Sequence, residues 1–407
     1  MVRVWSALPF LLMLGAIAIL PVVARSWWER RYPLVTLLIA LPILLGYLFF
    51  ARQPGRVLHV LLEYFSFISL IGALYVIAGG IRLRVVGPPG PLFNTLYLFA
   101  GAVAANVVGT TGASMLLLRS FLNNNRHRYQ PYLIVFFIFI VANIGGALTP
   151  VGDPPLLLGY VNGVPFFWVL ARVWHIWLVA LALVLAAFCW FDTRNTARRP
   201  ASNQRVAVGI QGYRNFVLLG IVLIAVFART PIRELVMLGA AAASYLFTRP
   251  AIRRRNEFSF RPIVEVAVLF IGIFVTMAPV LDLLQSRAQQ FGSSPAGGFF
   301  WLTGLFSAIL DNAPAYRTFL ELAIALNGGS LRFLLERGPE FVRAISLGAV
   351  FFGAFTYIGN GPNFMVKSMV EHRRLRVPNF FEYITRYSLP VLLPIFVVVW
   401  LLLLVLR

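Results

Sequence analysis

The stretch Thr149-Pro-Val-Gly-Asp-Pro-Pro155 interrupts an apolar run that extends over residues 131–160. Three prolines and a glycine in seven residues cannot continue a regular helix, because proline lacks a backbone N–H and clashes with the preceding turn. Unwinding frees carbonyl oxygens and exposes two half-helix ends, and Asp153 adds a carboxylate among them. The stretch therefore predicts a broken membrane helix with a polar site at its centre. The alternative is a plain proline kink, in which Asp153 only caps the second half-helix.

A second interruption of the same kind lies roughly 200 residues further along the chain. Thr356-Tyr-Ile-Gly-Asn-Gly-Pro362 aligns with the first stretch and places Asn360 at the position of Asp153. Gly109-Thr-Thr-Gly-Ala113 aligns in the same way with Leu310-Asp-Asn-Ala-Pro314. Paired interruptions at a constant spacing predict two structural repeats. A polar side chain at both breaks favours a functional site over a kink.

The composition places the chain in a bilayer. Hydrophobic residues make up 60% of the 407 positions and charged residues only 12%, and the mean hydropathy is +0.83, which is outside the range of soluble domains. The single cysteine excludes an internal disulfide framework. About twelve apolar spans are candidate membrane elements: 5–24, 33–50, 57–80, 91–122, 131–160, 171–192, 213–228, 232–248, 262–285, 296–327, 341–370 and 385–406.

Six spans in each half predict an N-terminal repeat over 1–192 and a C-terminal repeat over 213–407, joined by a polar cytoplasmic linker over 193–212. The fourth span of each half is long and contains small and polar residues, which predicts a re-entrant hairpin at about 91–122 and 296–327. Each half then crosses the membrane about five times, and an odd number of crossings makes the repeats inverted.

The predicted fold is therefore an all-α integral membrane protein with two inverted repeats. Each repeat has about five transmembrane helices and one re-entrant hairpin. The broken helices, at about 131–160 and 341–370, are expected to meet at the midplane.

The net charge of +21 could indicate a nucleic-acid partner, but the arginines lie in short loops between apolar spans. The loops on one side of the predicted topology carry about 23 of the 35 Lys and Arg residues, and the positive-inside rule makes that side cytoplasmic. We therefore expect a multi-pass protein of the bacterial inner membrane with both termini outside. Its expected partners are lipid and a small cation, not nucleic acid. The loops in question are 25–32, 81–90, 119–130, 193–214, 249–261 and 367–386.

Polar side chains within the spans are the first candidates for a site, because they are costly in a membrane unless they face the protein interior. Two hairpin tips and two broken helices that meet at a pseudo-two-fold axis would bring several oxygen-bearing side chains together. For the hydroxyl groups, ordinary hydrogen bonding between helices is the alternative. The predicted ion-binding or substrate-binding residues are Thr110, Thr111, Ser114, Thr149, Asp153, Asp311, Asn312, Thr356, Asn360 and Asn363.

The charges of this set favour a cation. Asp153 and Asp311 would repel a dicarboxylate in a cavity of low dielectric constant. They could instead bind sodium and a proton in turn, and that competition would by itself produce sodium/proton exchange. Arg119, Arg317 and Lys367 could turn inward and neutralise an acid, although such side chains more often extend to the interface.

The remaining acids of the spans have less specific interpretations. Glu63 and Glu265 begin the third span of each half and are predicted to be either proton relays or interfacial charges paired with arginine. Asp282 and Glu321 are predicted to be interfacial. The four histidines are scattered near loops, which disfavours a histidine metal site, and no cofactor is expected.

Four motifs, in the same order along the chain, resemble those of a known group of transporters. They are Gly109-Thr-Thr-Gly-Ala-Ser-Met115, Asn143-Ile-Gly-Gly-Ala-Leu-Thr-Pro-Val-Gly-Asp-Pro-Pro155, Asp311-Asn-Ala-Pro314 and Thr356-Tyr-Ile-Gly-Asn-Gly-Pro-Asn-Phe-Met365. They are similar to motifs of the NhaD-type sodium/proton antiporters in the citrate-transporter-like (CitMHS) group of the ion transporter superfamily. The likeness runs from about Gly79 to the C-terminus. One departure is Gly361, where the group leads us to expect alanine.

The resemblance implies a scaffold domain, a mobile transport domain, alternating access by an elevator-like movement, and a homodimer. Members of the superfamily include antiporters, dicarboxylate carriers and arsenite pumps, so the fold does not select the substrate. Sodium/proton antiport is the first hypothesis, and a sodium-coupled carrier of citrate, another dicarboxylate or a metalloid oxyanion such as arsenite is the second. A non-transporting scaffold or a membrane enzyme is disfavoured, since no nucleophile elbow, phosphate loop or histidine cluster is present in the sequence.

Overall fold

The computed structural model describes residues 4–195, 206–287 and 295–405 and is helical almost throughout. Two short strands, β1 (Arg82–Val86) and β2 (Ala207–Gln211), pair in an antiparallel sheet. The predicted all-α membrane fold is thus confirmed in its class. The helices are α1 (Leu8–Val23), α2 (Arg25–Leu45), α3 (Pro54–Gly79), α4 (Pro91–Asn124), α5 (Pro131–Ile140), α6 (Pro154–Val161), α7 (Trp168–Thr193), α8 (Arg214–Ala225), α9 (Ile232–Phe247), α10 (Pro250–Arg255), α11 (Arg261–Arg287), α12 (Ala296–Ile309), α13 (Asn312–Leu326), α14 (Leu331–Arg337), α15 (Pro339–Gly353), α16 (Gly361–His372), α17 (Phe380–Tyr383) and α18 (Leu393–Val405).

Among the described residues, six helical segments are long and apolar enough to cross a bilayer. Length alone does not decide whether a segment crosses, because one of the six, α4, turns back on itself as shown below. The six segments are Ser26–Phe50, Pro54–Gly79, Pro91–Asn124, Trp168–Thr193, Arg261–Leu283 and Phe380–Val405.

Gly109 divides α4 into two antiparallel arms. Its backbone has φ 77° and ψ 155°, a conformation that glycine adopts without steric cost. Across the break, the Tyr97 hydroxyl donates to the Leu117 carbonyl at 2.8 Å, and the rings of Tyr97 and Phe121 are 5.6 Å apart. In a continuous helix, residues twenty positions apart would be separated by about 30 Å. α4 is therefore a helical hairpin with its tip at Gly109, and we call it the first hairpin.

α12 and α13 form the second hairpin, which turns at Leu310 and Asp311. The ring of Phe319 on α13 lies 6.3 Å from the ring of Phe299 and 5.3 Å from that of Phe306, both on α12. The two arms therefore pack against each other along their length.

Each predicted broken helix consists of two short helices with an irregular segment between them. α5 and α6 flank the first break, and α15 and α16 flank the second. Asp153 and Asn360 immediately precede α6 and α16 in extended conformations, and neither side chain caps the helix that follows. A proline kink with a capping Asp153 is therefore not what the structure contains.

The loops that carry most of the arginines contact one another on one face of the protein, which we call the arginine-rich face. The β1–β2 pairing joins loop 81–90 to loop 193–214. The Asn256 amide donates to the Ile81 carbonyl at 2.7 Å, and the Tyr129 hydroxyl donates to the Arg376 carbonyl at 2.7 Å. Sequence reasoning missed the strands because both lie in polar loops outside the apolar spans.

Contacts on the opposite face join the other set of loops. Arg56 forms an ion pair with Asp282 at 2.7 Å, and the Tyr160 hydroxyl donates to the Val226 carbonyl at 2.8 Å. The first hairpin begins and ends near the arginine-rich face, where Ser120 bonds to Val85. Leu331, which follows the second hairpin, lies near this opposite face, since a Cβ built at Gly163 would be 3.3 Å from its side chain. The two hairpins therefore open towards opposite faces.

A buried polar network fixes the base of the first hairpin. Asp192 of α7 accepts from Arg128 at 2.9 Å and from the Asn94 amide at 3.0 Å, and it also accepts from the Tyr132 hydroxyl. The side chains of Arg128 and Asp192 are 1% and 0% exposed. The network therefore ties both the hairpin and the first broken helix to α7.

We expect Asp192→Asn to destabilise the protein by about 3–5 kcal/mol, because it leaves the Arg128 guanidinium buried without a counter-charge. Thermal melting of the purified protein in detergent measures the change. Glu257→Gln is the matched control, since it breaks the exposed pair with Arg119 at 3.2 Å and should cost no more than about 1 kcal/mol. Equal melting temperatures for Asp192→Asn and wild type would contradict the assignment.

Candidate functional site

The carboxylate of Asp153 lies where the first broken helix meets both hairpins and the second broken helix. Its Oδ1 accepts from the Thr110 hydroxyl at 2.8 Å and from the Asn360 amide at 3.0 Å. Its Oδ2 accepts from the Asn312 amide at 2.5 Å. Asp153 is only 1% exposed, so these neutral donors replace water around a buried acid. Four predicted site residues from four different elements are thus brought together.

Backbone hydrogen bonds attach each hairpin tip to the adjacent break in the same way. The Thr110 N–H donates to the Gly152 carbonyl at 2.8 Å, and the Asn312 N–H donates to the Gly359 carbonyl at 3.0 Å. Thr110 is therefore the counterpart of Asn312, and the sequence alignment that paired Thr111 with Asn312 was wrong by one residue. Gly109 then corresponds to Asp311.

Thr149 and Thr356 use their hydroxyls to hold the hairpins. The Thr149 Oγ1 donates to the Asn106 carbonyl and the Thr356 Oγ1 to the Ala308 carbonyl, both at 2.6 Å. Both acceptors are carbonyls in the first arm of a hairpin, where the helix ends with unpaired backbone groups. These two predicted site residues therefore position the tips and do not contact the Asp153 carboxylate.

An asparagine cluster joins the two broken helices behind Asp153. The Asn143 amide donates to the Asn363 Oδ1 at 2.7 Å, and the Asn143 Oδ1 accepts from Asn360 at 3.1 Å. All three side chains are at most 1% exposed. Sequence reasoning included Asn360 and Asn363 and missed Asn143, although a lone amide at the end of the apolar run 131–142 was a usable signal.

The other predicted site residues lie at the hairpin tips without bonding to Asp153. Asp311 caps α13 by accepting from the Ala313 N–H at 3.1 Å, and its neighbour Asn312 makes the direct contact with Asp153. Thr111 is partly exposed. Ser114 is fully buried, and its hydroxyl oxygen has no hydrogen-bond partner. The side-chain oxygen of Asn312 is likewise buried without a partner.

A small pocket adjoins Asp153 on the side of α3. Its volume is about 20 Å³. The tip of the first hairpin and the break at Gly152 form one wall, and apolar side chains of α3 form the other. The lining includes Leu70, Leu74, Thr110, Thr111, Gly152 and Asp153. The pocket therefore leaves space of about the size of a water molecule beside the carboxylate.

The three cations that could have neutralised the acids are engaged elsewhere. Arg317 pairs with Glu321 at 2.5 Å and with Glu63 at 3.4 Å. Arg119 donates to the Arg255 carbonyl at 3.0 Å. Lys367 lies 5.0 Å from the centre of the Tyr357 ring. In the part of the chain that the structure describes, no arginine or lysine bonds to Asp153.

Three of the four remaining acids pair with an arginine, and the fourth, Glu265, is partly exposed on α11. Asp282 is half-buried and pairs with Arg56 near the opposite face, in agreement with an interfacial position. Glu321 and Glu63 instead share Arg317 in a cluster buried inside the protein. Glu63 is paired with an arginine, as one of its two interpretations required, but inside the protein.

If Asp153 binds sodium, as the sequence predicts, Asn143→Ala is expected to raise the sodium concentration for half-maximal binding by about tenfold, because Asn143 accepts from the Asn360 amide that bonds to Asp153. Changes of this indirect kind typically cost tenfold to a hundredfold in ion affinity. Asn162→Ala is the matched control, since that amide bonds only to the Leu158 carbonyl of its own helix. A sodium dependence that moves equally in both variants would contradict the role of Asn143.

Comparison with known proteins gives a family for this architecture. A family model described as "Putative citrate transport", CitMHS_2, matches residues 1–404. No curated protein matches the chain. Because the match spans nearly the whole sequence, the chain belongs to the CitMHS_2 family of citrate-transporter-like membrane proteins.

Proposed function

We propose that this secondary transporter exchanges sodium for protons and that Asp153 binds both in turn. One observation carries the proposal: among the described residues, the donors that bond to the buried Asp153 carboxylate are all neutral. Such a group has an unbalanced negative charge in a low-dielectric environment, which a proton or a small cation would neutralise. Either species would satisfy the same charge requirement, and the two would therefore compete.

The Asn312 side chain supplies a means of serving both states. Its Nδ2 donates to the Asp153 carboxylate, while its buried Oδ1 has no partner. Rotation of the amide by half a turn would direct Oδ1 towards Asp153. There it could accept the proton of a neutral carboxyl group, or it could coordinate a hard cation, which prefers oxygen ligands.

The lack of a cationic side chain at Asp153 favours a cation over an anion as the transported species. A citrate ion bound against Asp153 and Asp311 would meet two acids, and the guanidinium nearest along α13, that of Arg317, is already paired with Glu63 and Glu321. Like charges at about 4 Å repel by several kcal/mol near a protein surface and by more in the interior.

A second candidate, a sodium-coupled carrier of citrate or a related anion, is favoured by the family itself. In this case the cation at Asp153 would be the coupling ion, and the anion would bind beside it. Arsenite or another metalloid oxyanion is a further member of this alternative. We propose for either candidate an elevator-like alternating access, a homodimer, and an inner-membrane location with both termini outside.

Proteoliposomes that contain a pH-sensitive fluorophore test the two candidates. Sodium, lithium, potassium, citrate and succinate are added in turn across a preset pH gradient. Sodium/proton exchange predicts that sodium dissipates the pH gradient when no organic anion is present. Sodium-dependent accumulation of labelled citrate, without proton movement driven by sodium alone, would displace the first candidate in favour of the second.

A further inference from the structure

A buried cluster of charges links the second hairpin to α3. Arg317 of α13 lies 2.5 Å from Glu321 of the same helix and 3.4 Å from Glu63 of α3. Glu63 in turn lies 3.2 Å from the His59 imidazole, also on α3. The side chains of Arg317, Glu63 and Glu321 are 6%, 8% and 10% exposed.

Of the three contacts just given, the one between Arg317 and Glu63 crosses from one helix to the other. The pairs Arg317–Glu321 and His59–Glu63 both have the i,i+4 spacing of neighbours on one helix face. Breaking a buried ion pair is costly mainly because it leaves a charge without a partner. Here, separation of the helices leaves Arg317 with the Glu321 carboxylate on its own helix, and Glu63 with the half-exposed His59 imidazole, which carries a charge only when protonated.

We infer that the Arg317–Glu63 contact is a releasable bridge, which holds the second hairpin on α3 in one transport conformation and opens in the other. The inference rests on the proposed alternating access. α13 begins at Asn312, whose amide bonds to Asp153. Movement of α13 relative to α3 therefore changes the surroundings of the binding site.

The two acids that pair with Arg317 should have opposite effects on the equilibrium between the closed and separated conformations. Glu63→Gln removes the ion pair between the helices and leaves Arg317 paired with Glu321. The population of the separated conformation relative to the closed one should therefore rise by about fivefold or more. Glu321→Gln leaves Arg317 with Glu63 alone, so separation would strand a buried guanidinium. The population of the closed conformation relative to the separated one should then rise by a similar factor.

Double electron–electron resonance measures the separation directly. Spin labels are attached through Leu58→Cys on α3 and Ser330→Cys just beyond α13, both at exposed positions, in a Cys189→Ser background that removes the single native cysteine. Glu63→Gln should enlarge the long-distance population and Glu321→Gln the short-distance population. Glu257→Gln, which breaks the exposed pair of the first hairpin, should leave both unchanged.

Shifts in the same direction, or unchanged distances in both variants, would overturn the bridge and leave a purely structural ion cluster. If one variant fails to fold, the other decides alone, since an absent or reversed shift is sufficient. The distances are read without any transported ion. Refutation of the bridge would therefore leave the proposed exchange standing, and a negative result in the exchange assay would leave the measured distances interpretable.

Discussion

Asp153→Asn is expected to reduce sodium-driven proton movement in proteoliposomes by more than about a hundredfold, because a direct ligand should matter more than the indirect ones that cost up to that factor. The substitution keeps the size of the side chain and removes its charge. It also places an amide opposite the Thr110 hydroxyl and the amides of Asn312 and Asn360, which are all donors to Asp153. The variant can hold neither the cation nor the exchangeable proton.

The comparison needs a protein that is still folded and inserted. Glu257→Gln is the control, because it removes a carboxylate from an exposed ion pair on the arginine-rich face. Gel filtration in detergent and equal incorporation into liposomes establish that both variants fold. Exchange by Asp153→Asn at the wild-type rate would mean that the buried carboxylate has no part in transport.

Gly152→Ala is expected to destabilise the protein by about 3 kcal/mol or more and to abolish transport. A Cβ atom at this position would lie 2.2 Å from the Gly146 carbonyl oxygen, and backbone cannot move aside as a flexible side chain can. Displacement of the break would also disturb the Gly152 carbonyl, which accepts from the Thr110 N–H at the hairpin tip. Thermal melting in detergent measures the loss of stability.

Gly361→Ala is the matched control at the other break. Among the described residues, no atom beyond the local backbone lies within 4 Å of a Cβ built at Gly361. Alanine should therefore be accommodated, and the melting temperature should stay within about 2 °C of wild type. This is also the position where the resemblance to the antiporters led us to expect alanine. Equal melting temperatures for the Gly152→Ala and Gly361→Ala proteins would refute the close packing of the break.

The large features of the fold followed from the sequence because a bilayer restricts them strongly. Hydrocarbon requires long apolar helices, and breaks rich in glycine and proline at membrane depth stand out against that background. The prediction of hairpins at 91–122 and 296–327 depended on small and polar residues around Gly109 and Asp311. The structure has chain reversals at both positions.

The finer details of the site depend on tertiary contacts that the hydrophobic pattern of the sequence does not reveal. The one-residue shift that pairs Thr110 with Asn312 is set by backbone hydrogen bonds to Gly152 and Gly359, which are invisible in side-chain identity. Arg317 was a candidate for neutralising Asp311 from its position in the sequence. Its pairing with Glu63 instead depends on the tertiary arrangement of α13 and α3, which brings together side chains 254 positions apart.

If sodium and a proton compete for Asp153, sodium binding to the purified protein must release protons. Sodium chloride is added to detergent-solubilised protein in weakly buffered solution at a series of pH values, and a pH dye records the protons released. The account predicts release by the wild type at one or more of these pH values and its loss in Asp153→Asn. No release by the wild type at any pH, or equal release by Asp153→Asn, would contradict it.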